Sequence, residues 1–111
     1  MIKIVVAYDD NDSALADYFE ESYNTFLQNM QAANVTATAI LRGLQCNEVN
    51  INNAVIPLNE NAFLFIGLSH GNEDCLGVDS TGEIFVSISN SQNFKNSFFY
   101  TTACKAGAIL E

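Results

Sequence analysis

Three stretches of this chain leave no face for water. Ile2–Tyr8 is apolar except for Lys3, Ala62–Leu68 is apolar throughout, and Ser97–Ala103 is built around Phe98, Phe99 and Tyr100. β-Branched and aromatic side chains dominate, and the polar–apolar alternation of a strand with one wet face is missing. Such strands are stable where both faces are covered, as in a sheet sandwiched between helices. The three runs therefore predict buried strands, with Ala62–Leu68 central.

The intervening segments supply the cover. Asp9-Asp10-Asn11-Asp12-Ser13 is a loop in which Asp12 or Ser13 is placed to cap a following helix. From Ala14 the apolar period changes. Leu15, Tyr18, Phe19, Phe26, Leu27 and Met30 share one helical face, while Asp17, Glu20, Glu21, Asn24 and Gln28 fall largely outside it. This predicts an amphipathic helix to about residue 32 or 33, packed on the sheet by that stripe and ended by Asn34. Val35–Leu41 alternates and predicts a second strand, closed by Arg42-Gly43. A short helix is expected between Cys46 and Ile56, before Pro57. Leu76–Val78 and Glu83–Ile88 flank Asp79-Ser80-Thr81-Gly82 and predict a β-hairpin, and Ser91–Lys95 a helical turn. Strands alternating with helices define an α/β fold of three layers, with a mostly parallel central sheet and helices on both faces. With no repeat, low-complexity tract or linker, residues 1–111 read as one domain.

Charge and composition exclude several functions. Four Lys/Arg stand against thirteen Asp/Glu, a net charge of −9, so a nucleic-acid backbone would be repelled. No apolar run approaches the roughly 20 residues a membrane helix needs. The cysteines are Cys46, Cys75 and Cys104, an odd number, and the N-terminus reads as a strand rather than a signal segment. A reducing, cytoplasmic setting is the expectation. Cysteine and histidine show no zinc spacing, and no metal or cofactor is expected.

Chemistry is carried by the strand ends. In open parallel sheets, ligands bind beyond the carboxyl ends of the strands. Three apolar runs here end in polar, reactive groups: the Asp9–Asp12 loop, Ser69-His70-Gly71, and Cys104-Lys105-Ala106-Gly107. Parallel strands would bring all three to one edge. A thiolate is a good nucleophile toward carbonyl carbon, but a free thiol with a pKa near ~8.5 is mostly protonated at neutral pH. A neighbouring imidazole can take that proton and later return it to a leaving amine. Backbone N–H groups of Gly71 and Cys104 are the natural donors to an oxyanion. Gly71 also leaves room for a substrate backbone.

Phe63-Leu64-Phe65-Ile66-Gly67-Leu68-Ser69-His70-Gly71 resembles the hydrophobic-block-then-His-Gly motif of caspase-like (clan CD) cysteine peptidases, the caspase, metacaspase, gingipain and CHAT group. Phe98-Phe99-Tyr100-Thr101-Thr102-Ala103-Cys104 resembles their second motif, a hydrophobic block then Ala-Cys. Gly77-Val78-Asp79-Ser80-Thr81-Gly82-Glu83 is similar to the small hairpin that follows the histidine, and Tyr8–Phe19 to the first loop and helix. The resemblance implies a cysteine endopeptidase, or the large-subunit half of one, with His70 as base, Cys104 as nucleophile and Gly71 in the oxyanion hole. The segment around the cysteine reads Thr102-Ala103-Cys104-Lys105-Ala106, with glycine first at Gly107, which departs from the caspase signature Gln-Ala-Cys-x-Gly.

The substrate is then a peptide or protein. Asp9, Asp10 and Asp12 read as a solvated, capped helix start, as a substrate-binding pocket, or as a Ca²⁺ site, although no EF-hand spacing is present. The pocket would favour a basic residue before the cut, since no arginine lies in that loop. The apolar flank of the last strand predicts a second chain or sister protomer completing the sheet. Two alternatives remain at this point. One is a catalytically silent module of the same fold. The other is a phosphoacceptor receiver domain, which lacks here the aspartate such a domain needs at the end of its third strand.

Overall fold

The computed structural model describes residues 2–12, 14–71, 75–78 and 81–102. The chain runs β1 (Lys3–Tyr8), α1 (Ala16–Ala32), β2 (Ala39–Arg42), α2 (Glu48–Val55), β3 (Phe63–Leu68), β4 (His70–Gly71), β5 (Cys75–Val78), β6 (Glu83–Ser87) and β7 (Ser97–Thr101). Short 3-10 turns follow β2 and α2 and precede β7. Four strands form a sheet in the order β2-β1-β3-β7, and every neighbouring pair is parallel. A separate antiparallel sheet has the order β4-β5-β6.

The double-sided runs do what their composition demands. In β1, Ile4, Val6 and Tyr8 face one core and Val5 and Ala7 the other. In β3, Ile66 and Leu68 join the first, and Phe63 and Phe65 the second. Helix α1 closes the first core through Phe19 and Met30. Helix α2 closes the second through Ile51 and Val55, together with Leu76, Val78, Phe85 and Val86 of the small sheet. Among the described residues the protein is thus an α/β sandwich with one α-helix on each face of a parallel sheet. Gly67, in β3, faces the small sheet, where an added Cβ would stand 2.9 Å from Leu76 Cδ1. A larger residue there would push the Leu76 side chain aside.

Helix α1 ends as its sequence foretells. Asn34 takes the left-handed conformation (φ 59°), and the Val35 N–H donates to the Met30 carbonyl at 2.8 Å. Asparagine tolerates that conformation better than most residues, so the helix stops there. Helix α2 is capped by Asn47, whose side chain accepts the Asn50 N–H at 2.8 Å.

Three expectations need correction. The second strand begins at Ala39, not Val35. Val35 and Ala37 pack in the α1 core, whereas Ala39 and Leu41 pack in the α2 core. One strand would keep these odd positions on one side. The chain therefore changes face near Thr38, whose N–H donates to the Ile4 carbonyl at 2.7 Å, and only then joins the ladder. Leu15 and Tyr18 do not belong to the α1 stripe; they are 38% and 53% exposed. Tyr23 packs instead, its ring stacked on Tyr8 at 4.2 Å. Finally, β7 is not buried on both faces. Phe99 packs against Phe65, and Tyr100 meets Phe26 of α1 edge-on at 5.2 Å, but Phe98 and Tyr100 are still 63% and 48% exposed, so α1 covers that face of β7 only in part.

Candidate active site

The carboxyl ends of β1, β3 and β7 lie side by side, as three adjacent parallel strands require. Backbone hydrogen bonds carry the ladder past the strands. The Asp9 N–H donates to the Leu68 carbonyl at 2.9 Å, and the Thr102 N–H to the Gly67 carbonyl at 3.4 Å. The segment after β3 is therefore held between the loop after β1 and the chain leaving β7. That segment carries His70.

His70 is fixed by its backbone and reached through its side chain. It pairs with Gly77 across the small antiparallel sheet, a two-residue strand that no sequence pattern announces. The Ser69 hydroxyl donates to the His70 carbonyl at 3.0 Å. The imidazole is 44% exposed, stands edge-on to Phe19 with ring centroids 5.8 Å apart, and lines a cavity of about 190 Å³. Leu15, Tyr18, Gly71 and Thr102 line the same cavity. The two residues missing from the α1 core thus border the histidine. Read as part of the helical stripe, Leu15 and Tyr18 instead stand at the entry to α1 beside His70, where an apolar surplus over what the core needs is the signal that could have marked them.

The acidic loop turns inward. Asp9 and Asp12 are 0% and 5% exposed. The Asn11 N–H donates to Asp9 Oδ1 at 3.0 Å, closing an Asx turn. Asp12 closes the turn that leads into α1, with Oδ1 accepting the N–H of Ala14 at 2.8 Å and of Leu15 at 2.6 Å. Its Oδ2 lies 2.8 Å from His70 Nε2, at ion-pair distance, and makes no well-aligned hydrogen bond among the described residues. The expectation of a solvated loop therefore holds for neither Asp9 nor Asp12. The position of Asp12 against the histidine is the feature that sequence reasoning missed.

Asp10 is held by Arg42, with Nη2 to Oδ2 at 3.1 Å. The arginine ends β2, and the register sets Tyr8 opposite Arg42, so this cation reaches the loop from the neighbouring strand. A basic-residue pocket was expected because the loop lacked an arginine of its own; here the loop meets one. Asp10, Arg42 and Gly43 border an open cavity of about 420 Å³. Gly43 sits at φ +52°, and a Cβ on it would stand 2.6 Å from Asp10 Oδ1. Gly43→Ala is expected to destabilise the domain by ~1–2 kcal/mol through the left-handed backbone alone, with a further loss as Asp10 shifts. Thermal denaturation checks this.

Cys46 is buried in the α2 core, its sulfur 3.7 Å from the Tyr8 carbonyl. Burial, reinforced by Asp9 and Asp10, pushes its thiol up to about 12, which makes it an inert core residue. Cys75 is half-buried. Cys104 and the hairpin tip at Asp79 and Ser80 lie outside the described residues. No family model, curated protein or solved structure matches the chain, and no described helix is long and apolar enough to cross a membrane.

Proposed function

We propose that this chain is a cysteine peptidase domain of caspase-like type, cleaving peptide bonds with His70 as base and Cys104 as nucleophile. The observation that carries the reading is register. Gly67 of β3 pairs with Thr101 of β7. His70 follows Gly67 by three positions, and Cys104 follows Thr101 by three. Two reactive residues equally far beyond paired positions of neighbouring parallel strands are suited to work together.

The chemistry follows from the residue types. His70 takes the Cys104 thiol proton, and the thiolate attacks the scissile carbonyl carbon. The oxyanion is met by backbone N–H groups, for which Gly71 and Cys104 are the candidates. As the intermediate collapses, the C–N bond breaks and His70 returns its proton to the leaving amine. Water, deprotonated by His70, then releases the acyl group and restores the thiol. The exposed flank of β7 supports a companion proposal, that a second chain or sister protomer covers Phe98 and Tyr100.

Site-resolved alkylation tests the dyad. With iodoacetamide at neutral pH, Cys104 is expected to react first and the core residue Cys46 last. In His70→Ala, Cys104 should slow by about tenfold or more while Cys75 keeps its rate, because only Cys104 loses a base. Equal Cys104 rates in the two proteins would sink the dyad.

A further inference from the structure

We infer that Asp12 is the positioning residue for His70, holding the imidazole with its proton on Nε2 and its bare Nδ1 turned to the reaction. The catalytic consequence rests on the peptidase reading; the positioning does not. An ionised carboxylate only accepts hydrogen bonds. Asp12 Oδ1 already receives two backbone N–H groups, from Ala14 and Leu15. Oδ2, fully buried and without a well-aligned hydrogen bond, lies 2.8 Å from His70 Nε2, at ion-pair distance. A buried carboxylate oxygen with one donor in reach favours the tautomer that supplies it. Nε2 then carries the proton, and in the neutral ring Nδ1 becomes the acceptor, the atom able to take a thiol proton.

The geometry also makes Asp12 stiff. The two N–H bonds to Oδ1 anchor the carboxylate to the turn just before α1, and α1 is packed on the sheet through Phe19, the same ring that stands against the imidazole. Helix, carboxylate and histidine therefore form one unit. A side chain 44% exposed would otherwise sample several rotamers, and misplacing a base by about 1 Å costs on the order of 10²-fold in rate.

The substitution Asp12→Asn separates positioning from folding. Asparagine is as good a cap as aspartate and can keep its oxygen on Ala14 and Leu15. Its amide then points a donor at Nε2, which requires that nitrogen to be bare, so the tautomer should invert. His70 is the only histidine in the chain, so its two ring nitrogens can be read without ambiguity by long-range ¹H–¹⁵N NMR at a pH alkaline enough to neutralise the ring. Wild type should show Nε2–H, and Asp12→Asn should show Nδ1–H. Against a fluorogenic peptide, kcat should fall about 10²-fold or more with KM little changed. Asp12→Ser, which caps but cannot reach the ring, should lose the Nε2–H preference and serves if the asparagine variant folds poorly. An unchanged tautomer in both variants overturns the inference, and so does an inverted tautomer with unchanged kcat. Inversion in a protein whose wild type cleaves no peptide would uphold the positioning and overturn the peptidase reading.

Discussion

Cys104→Ala is expected to reduce peptide cleavage to background, and His70→Ala to lower kcat/KM on the order of 10²- to 10⁴-fold. A positional-scanning fluorogenic library is the appropriate substrate, because it presumes no residue before the cut. The two variants should differ in stability. On the proposed mechanism, removing the sulfur of Cys104 takes away the nucleophile and nothing else. Removing the His70 ring leaves Asp12 Oδ2 buried without its neighbour, which costs ~1–3 kcal/mol. Cys104→Ala should therefore keep the wild-type Tm, and His70→Ala should melt several degrees lower while remaining folded. Wild-type turnover in Cys104→Ala would remove the nucleophile from the mechanism.

Phe65→Ala is expected to be the most damaging change to the fold. Phe65 is fully buried in β3, between Val5 of β1 and Phe99 of β7. Its ring stacks on Phe99 at 5.1 Å and meets Phe94 edge-on at 4.9 Å. Truncation removes the hub of that aromatic cluster and leaves a cavity in the layer under α2. The cost is ~3–5 kcal/mol, against a total of roughly 5–15 kcal/mol for a domain. Tm should fall by about 15 °C or more, as measured by calorimetry. A fall of only a degree or two would mean the aromatic cluster collapses to fill the space.

The sheet was legible where residues face two cores at once. Val5 and Ile4 point in opposite directions and both are covered, so β1 reads as apolar at successive positions, and β3 does the same. Asn34 marked the end of α1 because its backbone conformation is rare and suits that residue. Local pattern failed where the third dimension decides. The alternation of residues 35–41 suggests one strand, but a change of face at Thr38 is a property of the path between two cores. The apolar run of β7 does not reveal that α1 covers it only in part, touching Tyr100 through Phe26 and leaving Phe98 mostly in water. His70 was found because a lone histidine after a buried strand stands out. Its partner was not, because Asp12 looks like any helix cap, and nothing local says that one oxygen turns toward a ring fifty-eight positions away. Cys104 was read from its strand-end motif alone.

The order in which β1 finds its neighbours governs how the chain folds. It pairs Val5 with Ala39 on one side and Lys3 with Phe63, sixty positions away, on the other. Closing the larger loop costs chain entropy before the ladder returns any stability, so the β1–β3 pairing is the slow step expected of parallel sheets. Helix α1 and the β1–β2 pair form from nearer contacts, and until β3 arrives β1 keeps one edge open. That edge, flanked by Ile4, Val5 and Val6, is where a newly made or refolding chain is most exposed to pairing with another. Asp12 and His70 stand on opposite sides of the same late junction. A collapsed intermediate can therefore hold much of its helix and none of the Asp12–His70 contact, and that contact reports completion of the sheet rather than compaction of the chain.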